Sequence, residues 1–498
     1  MTTLADYREE RLKKLGELKA RGINPYPSKS HRDTKIKAVL NDFEKLQGST
    51  VTIAGRITTI RSFGKLAFIK VRDYTGEVQI FMTDGESTGD LLGIKDIKLL
   101  DTGDFIEATG KVEKSKTGEI SVFANQVRLL TKALRPLPGR DGFTNKEERF
   151  RRRYVDMNVN LEVRERMVRR SKFWQATRDF MNKHGFIEIN TPVLELTTGG
   201  ADATPFVTHM DALDQDYYLR ISHELPLKRL LGAGFEKVYD IGPRFRNEGV
   251  DDEHLPEHIA FESYAAYEDY EDGMNLYEEM IKYVAKETWG TLEFDVGGFH
   301  INLDGKWPRI KYADLLKEKF NVDVFNPDRE KLKQILLDDF KKSSDKNDKA
   351  AKKSLDHTLE VASDARLIDA VWKIIRKTSA GPYWLVEEPL ALSPLAKVVP
   401  DNPKVTQRFH PIIAGTEMGN GYSELNDPLD QLARFEEQQA LRDAGDTEAQ
   451  MLDQDFVEML EYGMPPACGW GNSERNFWLL EGVSGREGVP FPIIKPTK

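Results

Sequence analysis

The stretch "YDIGPRFRNEGVDDEHLPEH", Tyr239 to His258, carries an apolar run into Arg244, Phe245, Arg246, Asn247 and Glu248. A loop crowded with Asp, Glu and His follows, and then a second apolar run, "IAFESYAAY". Arginines on what reads as a strand between two buried-looking segments pose a physical question. Facing a core, such a charge must be paired, because an unpaired buried charge is prohibitively costly. Facing a cavity, it is a seat for an anion. No GxxxxGK[ST] phosphate loop and no Cys/His zinc spacing occur, so any nucleotide must be held by a different fold.

These residues need elements to hold them. At 498 residues the chain is too long for one ordinary core. Hydrophobic content of 39% and charged content of 31% fit a soluble protein, and no apolar run is long enough to span a membrane. The single cysteine, Cys468, excludes an internal disulfide framework and suits a reducing compartment, so a cytoplasmic address is expected. A net charge of -10 carries no global footprint for nucleic acid, although a local basic face stays compatible with it.

A charged helical pattern, residues 1–48, opens the chain and breaks at "RGINPYP". Five short runs of strong β-propensity follow within 49–134, which suggests a small all-β barrel of the OB type. A linker, 135–160, begins rich in proline and glycine and ends basic, with more arginines up to Arg170. Residues 161–498 read as one large unit of helices and strands, with a helical insertion around 327–380 and the Lys/Asp-rich "FKKSSDKNDKAAKKS" exposed within it. "FIEINTPVL", "KVYDIGPRF" and "PYWLVEEPLAL" are among its expected strands.

"HGFIEINTPVL", "FRNEG...HLPEH" and "GWGNSERN" resemble motifs 1, 2 and 3 of the class II aminoacyl-tRNA synthetases. Within that class the chain is most similar to the bacterial-type lysyl branch, through "TTGGADATPF", "SHELPLKRL", "LSPLAK", "GYSELNDP" and "DQDFVEMLEYGMPP" in order. The resemblance implies an α+β catalytic domain on an antiparallel sheet, an anticodon-binding OB-fold domain before it, and a homodimer built around motif 1. It implies ATP-dependent attachment of L-lysine to tRNA(Lys) through a lysyl adenylate. Arg246 would hold the amino acid carboxylate and the α-phosphate, and Arg475 would contact the nucleotide, both as catalytic residues. Glu224 and Glu424 would bind the side-chain ammonium, with Tyr264 and Tyr422 as wall and hydrogen bond. Glu262, Asn420 and Gly200 would lie near the substrate backbone. Only partners that replace water make a buried cation tolerable, which is the chemistry that carboxylates and aromatic rings supply.

For ATP the resemblance adds Glu248, His254 and His258 to the two arginines, and it places Mg²⁺ on Glu417 and Glu424. In the barrel, Arg56, Phe68 and Gln79 match positions that read the middle anticodon base, by stacking and hydrogen bonding. The chain departs from the pattern at several positions. Glu253 and Thr204 stand where arginines are usual, His258 where a stacking phenylalanine is usual, and His410 where a carboxylate is usual. The entry to motif 3 is one residue short, with Asn472 in place of a common glycine. These departures leave open an alternative, a synthetase-like protein that binds RNA or serves regulation without ligating.

Overall fold

In a computed structural model that describes residues 3–83, 88–139, 142–201, 203–249, 254–343, 349–443 and 449–496, the chain forms two units, Met1–Asn160 and Leu161–Lys498. The loop residue Glu253 lies outside the described residues.

The first unit is built on five strands: β1 (Thr50–Phe63), β2 (Leu66–Arg72), β3 (Glu77–Met82), β4 (Phe105–Lys114) and β5 (Ile120–Thr131). They close into a barrel in the order β1-β2-β3-β5-β4, the OB arrangement. Side chains alternate across each strand. Along β2, Ala67, Ile69 and Val71 fill the interior, while Phe68, Lys70 and Arg72 stand outside. A helix, Leu4–Ala20, opens with a capping box between Thr3 and Asp6 and buries Leu18 in the barrel's core cluster. Its Arg11 donates to the carbonyls of Thr102 and Ala133.

In the second unit a short strand, β6 (Ile187–Glu188), precedes a separate three-stranded sheet of β7 (Leu194–Glu195), β8 (Val207–Met210) and β9 (Gln215–Leu219). The sheet that matters most takes β10 (Lys237–Phe245) and β11 (Glu257–Ala266). A hairpin, β12 (Glu293–Val296) with β13 (Phe299–Asn302), lies off it, before β14 (Arg309–Lys311) and β15 (Tyr383–Val386). After the small pair β16 (Val398–Val399) and β17 (Asn402–Thr406) come β18 (Arg408–Ile413), β19 (Thr416–Glu417), β20 (Asn420–Ser423) and β21 (Ala467–Ser473). The main sheet runs β14-β15-β18-β20-β21-β11-β10-β6, with β19 beside β18. Its central pairs are antiparallel, and parallel pairing is confined to the two ends, β14 with β15 and β10 with β6.

Register sorts this sheet into two faces. Tyr239, Ile241, Phe261, Ala265, Trp470, Cys468 and Phe409 share one core cluster with Phe173, Phe180, Met274, Tyr277 and Ile281 of the helices Leu161–Lys183 and Tyr270–Trp289. Residues one step away along each strand point to the other face. Glu262 is paired with Asp240 on one side and Gly471 on the other, and Gly471 with Asn420. Tyr264 is in register with Gly469, and Gly469 with Tyr422. Helices Arg329–Lys342, Lys349–Val361 and Asp364–Lys377 fill the region expected to hold a helical insertion. They bury Leu332, Leu367, Val371 and Trp372 in a core shared with Leu385 of β15 and Ile412 of β18. Among the described residues no helix is long and apolar enough to cross a membrane.

One local expectation differs from the structure. "FIEINTPVL" is not one strand but the two-residue β6 and β7, separated by a bend. The backbone N–H and hydroxyl of Thr191 donate to the Asp240 carboxylate, so a side chain takes the bond that a strand neighbour would have made. "FKKSSDKNDKAAKKS" runs into the helix Lys349–Val361, on which Lys349, Lys352 and Lys353 are exposed.

Phe261, fully buried between the sheet and its helices, tests this layering. Phe261→Ala should cost about 3–5 kcal/mol of stability, measured as a lowered unfolding midpoint in denaturant; a loss below 1 kcal/mol would argue against the packing described.

Candidate active site

The polar face of the sheet opens into a cavity of about 360 Å³. Of the residues expected at a lysine site, Gly200, Glu224, Glu262, Tyr264, Asn420 and Tyr422 line it. Of those expected at ATP, Arg246, Glu248, His254, His258 and Arg475 line it too, as does Glu417. Residues spread over more than 270 positions of the chain meet because β10, β11, β20 and β21 are neighbours in one sheet.

One end of the cavity is acidic. Glu262 accepts hydrogen bonds from the Ser222 hydroxyl at 2.9 Å and from the Tyr264 hydroxyl at 3.2 Å, with Arg244 3.7 Å away. Burial works to raise its carboxyl, but His223, Arg244 and Ser222 outweigh burial and draw it down to about 2. Glu224 opens the helix Glu224–Gly232, and its Oε1 accepts from the Tyr422 hydroxyl at 2.5 Å. The same oxygen lies 2.6 Å from Lys228 Nζ, one helical turn on. Lys228 Nζ also stands 2.5 Å from Glu424 Oε2. Two glycines leave room here. A Cβ at Gly200, whose φ is +80°, would lie 2.6 Å from Glu224 Cβ, and one at Gly469 would lie 2.2 Å from Glu424 Oε1.

Glu424 is buried next to Gly469, which lines the cavity, and its Oε2 is paired with Lys228. Glu417, the other expected magnesium carboxylate, has separate partners. Trp372 Nε1 donates to its Oε1 at 2.8 Å, with Arg376 3.7 Å from the same oxygen and His410 Nδ1 3.8 Å from the other. Burial raises its carboxyl less than His410 and Arg376 lower it, so it stays below the usual range. No three His, Cys, Asp or Glu side chains gather as a metal-ligand set among the described residues.

The other end is basic. Arg244 and Arg246 lie two residues apart at the end of β10, hence on one face. The Arg246 N–H donates to the Pro256 carbonyl at 2.9 Å, which extends the pairing of β10 and β11 past the strand end. Arg244 Nε donates to His258 Nε2 at 2.8 Å, and His258 Nδ1 lies 3.2 Å from the Leu255 carbonyl. This assigns His258 as the neutral tautomer with its proton on Nδ1. Burial, then Arg244 and Arg246, hold the imidazole well below its ordinary value. Burial and the charge of Arg246 push the Arg244 guanidinium down to about 9, against the opposing pull of Glu262. Arg475 Nη2 lies 2.8 Å from His254 Nε2. Clustered guanidinium groups with mutual repulsion favour an incoming polyanion. Thr204, where arginine is usual, ties down the motif 2 strand end: its N–H reaches Glu248 at 3.4 Å and its carbonyl accepts from Asn247 at 2.8 Å.

On the barrel's outer face, Phe68 is half-buried and stacks 4.9 Å from Phe81, which lies 4.9 Å from Phe123. Exposed Phe63 extends the row. Arg56 stacks over Phe105 at 4.2 Å and donates to the Gly103 carbonyl. Gln79 lies on the same face, largely buried, with its amide nitrogen donating to Ser121 Oγ at 3.0 Å. The sequence reading missed Lys228, Arg244, Phe81 and Phe123. Lys228 carries a signal, the i,i+4 spacing from Glu224, and Arg244 another, the period of two from Arg246.

Residues 145–495 match the family of tRNA synthetases class II (D, K and N), and residues 51–130 match the OB-fold nucleic acid binding domain. Lysine–tRNA ligase from Thermotoga maritima is 41% identical, over 99% of this chain and 97% of its own length. The lysine–tRNA ligase of Carboxydothermus hydrogenoformans is 42% identical over 98% and 97%, and that of Dehalococcoides mccartyi is 40% identical over the same shares. With the sheet, the two-ended cavity and the barrel arranged as described, the chain belongs to the class II tRNA synthetases of the D, K and N group.

Proposed function

We propose that the chain is a lysine–tRNA ligase, which joins L-lysine to ATP as lysyl adenylate and then transfers the lysyl group to tRNA(Lys). The observation that carries this reading is the polarity of one cavity, with carboxylates at one end and guanidinium groups at the other. A lysine side chain directed to Glu224 leaves its amino group toward Glu262 and Asn420 and its carboxylate toward Arg246. That carboxylate oxygen attacks the α-phosphorus of ATP, a P–O bond forms, and pyrophosphate leaves. The terminal ribose hydroxyl of the tRNA next attacks the lysyl carbonyl, and AMP leaves. No protein nucleophile is required, so catalysis is positioning plus charge stabilisation. Arg246 neutralises two anions that must approach each other, Arg475 and His254 meet the nucleotide, and neutral His258 offers it a flat face.

Aspartate and asparagine ligases share the family, but an anionic or neutral substrate side chain would face Glu224 and, behind it, Glu424. Magnesium carried by the ATP phosphates would take Glu417 as one hard oxygen ligand, and it would supply charge neutralisation there. In the barrel, splayed anticodon bases would stack along Phe68, Phe81 and Phe123, with Arg56 beside them. Exposed Ile187, Leu194, Leu196 and Val207 around motif 1 suit a homodimer. The single cysteine suits a cytoplasmic setting.

With ATP and each amino acid supplied separately, lysine alone should support isotopic pyrophosphate exchange; a folded protein that exchanges with none would end the ligase reading. Arg246→Ala should lower that exchange about 100- to 1000-fold without moving the melting temperature, and retained exchange would remove Arg246 from the chemistry. Phe68→Ala should raise the KM for tRNA(Lys) in charging, equivalent to about 1–3 kcal/mol, with lysine-dependent exchange unchanged. An unchanged KM for tRNA would exclude the Phe68 face.

A further inference from the structure

Two residues before Arg246 on β10, Arg244 lines the cavity and reaches across to β11. Its Nε donates to His258 Nε2 at 2.8 Å, and its Nη1 stands 3.7 Å from Glu262 Oε1. The guanidinium therefore spans the position of Ala260, which lies between those two residues on the same face and is in register with Gly242. Two residues this small leave the space that it fills. The bond to His258 is the one hydrogen bond of the Arg244 side chain among the described residues. Glu262 is an incomplete partner. A separation of 3.7 Å is too long for a hydrogen bond, and its oxygens already accept from Ser222 and Tyr264, with His223 3.7 Å away. The Arg244 side chain is only 17% exposed, so bulk water has little access to the remaining Nη donors. Burial, then the charge of Arg246, push the group down to about 9 against the pull of Glu262, as expected for a cation held short of counter-charge.

We propose that Arg244 is a further catalytic residue, whose Nη groups donate to a non-bridging oxygen of the nucleotide's α-phosphate alongside Arg246. The inference rests on the ligase reading of the cavity and deepens it. The place of the ligand follows from the two neighbours. Glu262 stands where the substrate's amino group is directed, and His258 where the base lies flat. In an aminoacyl adenylate the carbonyl, the α-phosphate and the ribose connect those two points, and of these only the phosphate is anionic. A cation held between Glu262 and His258 therefore meets the α-phosphate. As the carboxylate oxygen bonds to the α-phosphorus, the bond to the pyrophosphate oxygen breaks, and pyrophosphate leaves with that electron pair. Donors fixed at the non-bridging oxygens before this step stabilise the charge there. Arg244 neither gives nor takes a proton. His258 contributes by holding Nε, which aims the two Nη groups. Its own ring is anchored from a second side, with Nδ1 3.2 Å from the Leu255 carbonyl, independently of Arg244.

AMP carries the α-phosphate and adenosine lacks it, so the two ligands separate phosphate binding from support of His258. By titration calorimetry, Arg244→Met should weaken AMP about 10-fold or more and change adenosine by less than about twofold. In lysine-dependent pyrophosphate exchange the same variant should lose about 100-fold in kcat, with the KM for lysine within about threefold of the parent. If AMP and adenosine weaken equally, or if AMP binds the variant as it binds the parent, Arg244 serves only the wall or the packing, and the inference is overturned. Exchange retained at the parent's kcat overturns it as well. Should Arg244→Met fail to fold, Arg244→Gln, which can still donate to His258 without a charge, decides by the same two ligands. A parent protein without lysine-dependent exchange overturns the ligase reading and the catalytic role together. Exchange in the parent with no AMP-selective loss in the variant overturns the role of Arg244 alone.

Discussion

The site depends on one constraint, the register of β11 between β10 and β21. A strand shifted by a single residue would turn Phe261 and Ala265 toward water and Glu262 and Tyr264 into the layer of helices. The aromatic packing of Phe261 on Trp470 and Tyr239 resists that slip from one side. Glycines at 469 and 471 resist it from the other, because the cavity face has room for the Glu262 and Tyr264 side chains only where the neighbouring strand has none. The apolar face thus fixes the position of the polar face. Catalytic geometry here is a by-product of core packing.

Held on that frame, the charges do not stand alone. Glu262 is bound by Ser222 and Tyr264, Asp240 by Arg220 and Thr191, and Glu224 and Glu424 by Lys228. Unanswered charges buried at this density would neutralise by proton transfer or disrupt the fold. Instead each end of the cavity carries a small imbalance, negative near Glu224 and positive near Arg244, Arg246 and Arg475. An amino acid with an ammonium tail and a nucleoside triphosphate correct the two imbalances together. The attractive forces that orient each substrate are therefore the same forces that complete an otherwise incomplete charge pattern.

Much of this was legible in the residues. The run "KVYDIGPRF" coincides with β10, and the barrel follows from five short runs with alternating burial. The lining residues were reachable through order and spacing of motifs. What the sequence left hidden were partners that depend on three dimensions. Lys228 sits in plain view at i+4 from Glu224, yet nothing local says that its amine turns toward Glu424, some two hundred residues away. The Gln79 amide donates to Ser121 on a strand paired in parallel, a partner that no local spacing announces. Motif 1 reads as a strand because its residues have the propensity, and the side chain of Asp240 overrides that propensity at Thr191.

The histidines at unusual positions follow one logic. His258, where a phenylalanine would stack, keeps a flat ring while its Nε2 accepts from Arg244, so it orients a guanidinium that phenylalanine could not hold. Its neutrality follows from that acceptance and from the cations around it. A buried histidine whose pKa is depressed in the folded state binds fewer protons than in the unfolded chain, so it subtracts stability as pH falls through the unfolded value near 6.5. His410, where a carboxylate is usual, lies between Glu388 at 3.6 Å and Glu417 at 3.8 Å. Glu388 is itself bound to Arg408 at 2.8 Å and drawn down to about 2, burial being outweighed by Arg408 and His410. A carboxylate at position 410 would be the third negative charge beside Glu388 and Glu417; histidine adds none. Arg376 lies 3.7 Å from Glu417 as well, so cationic and neutral protein donors balance the carboxylates on this side of the cavity.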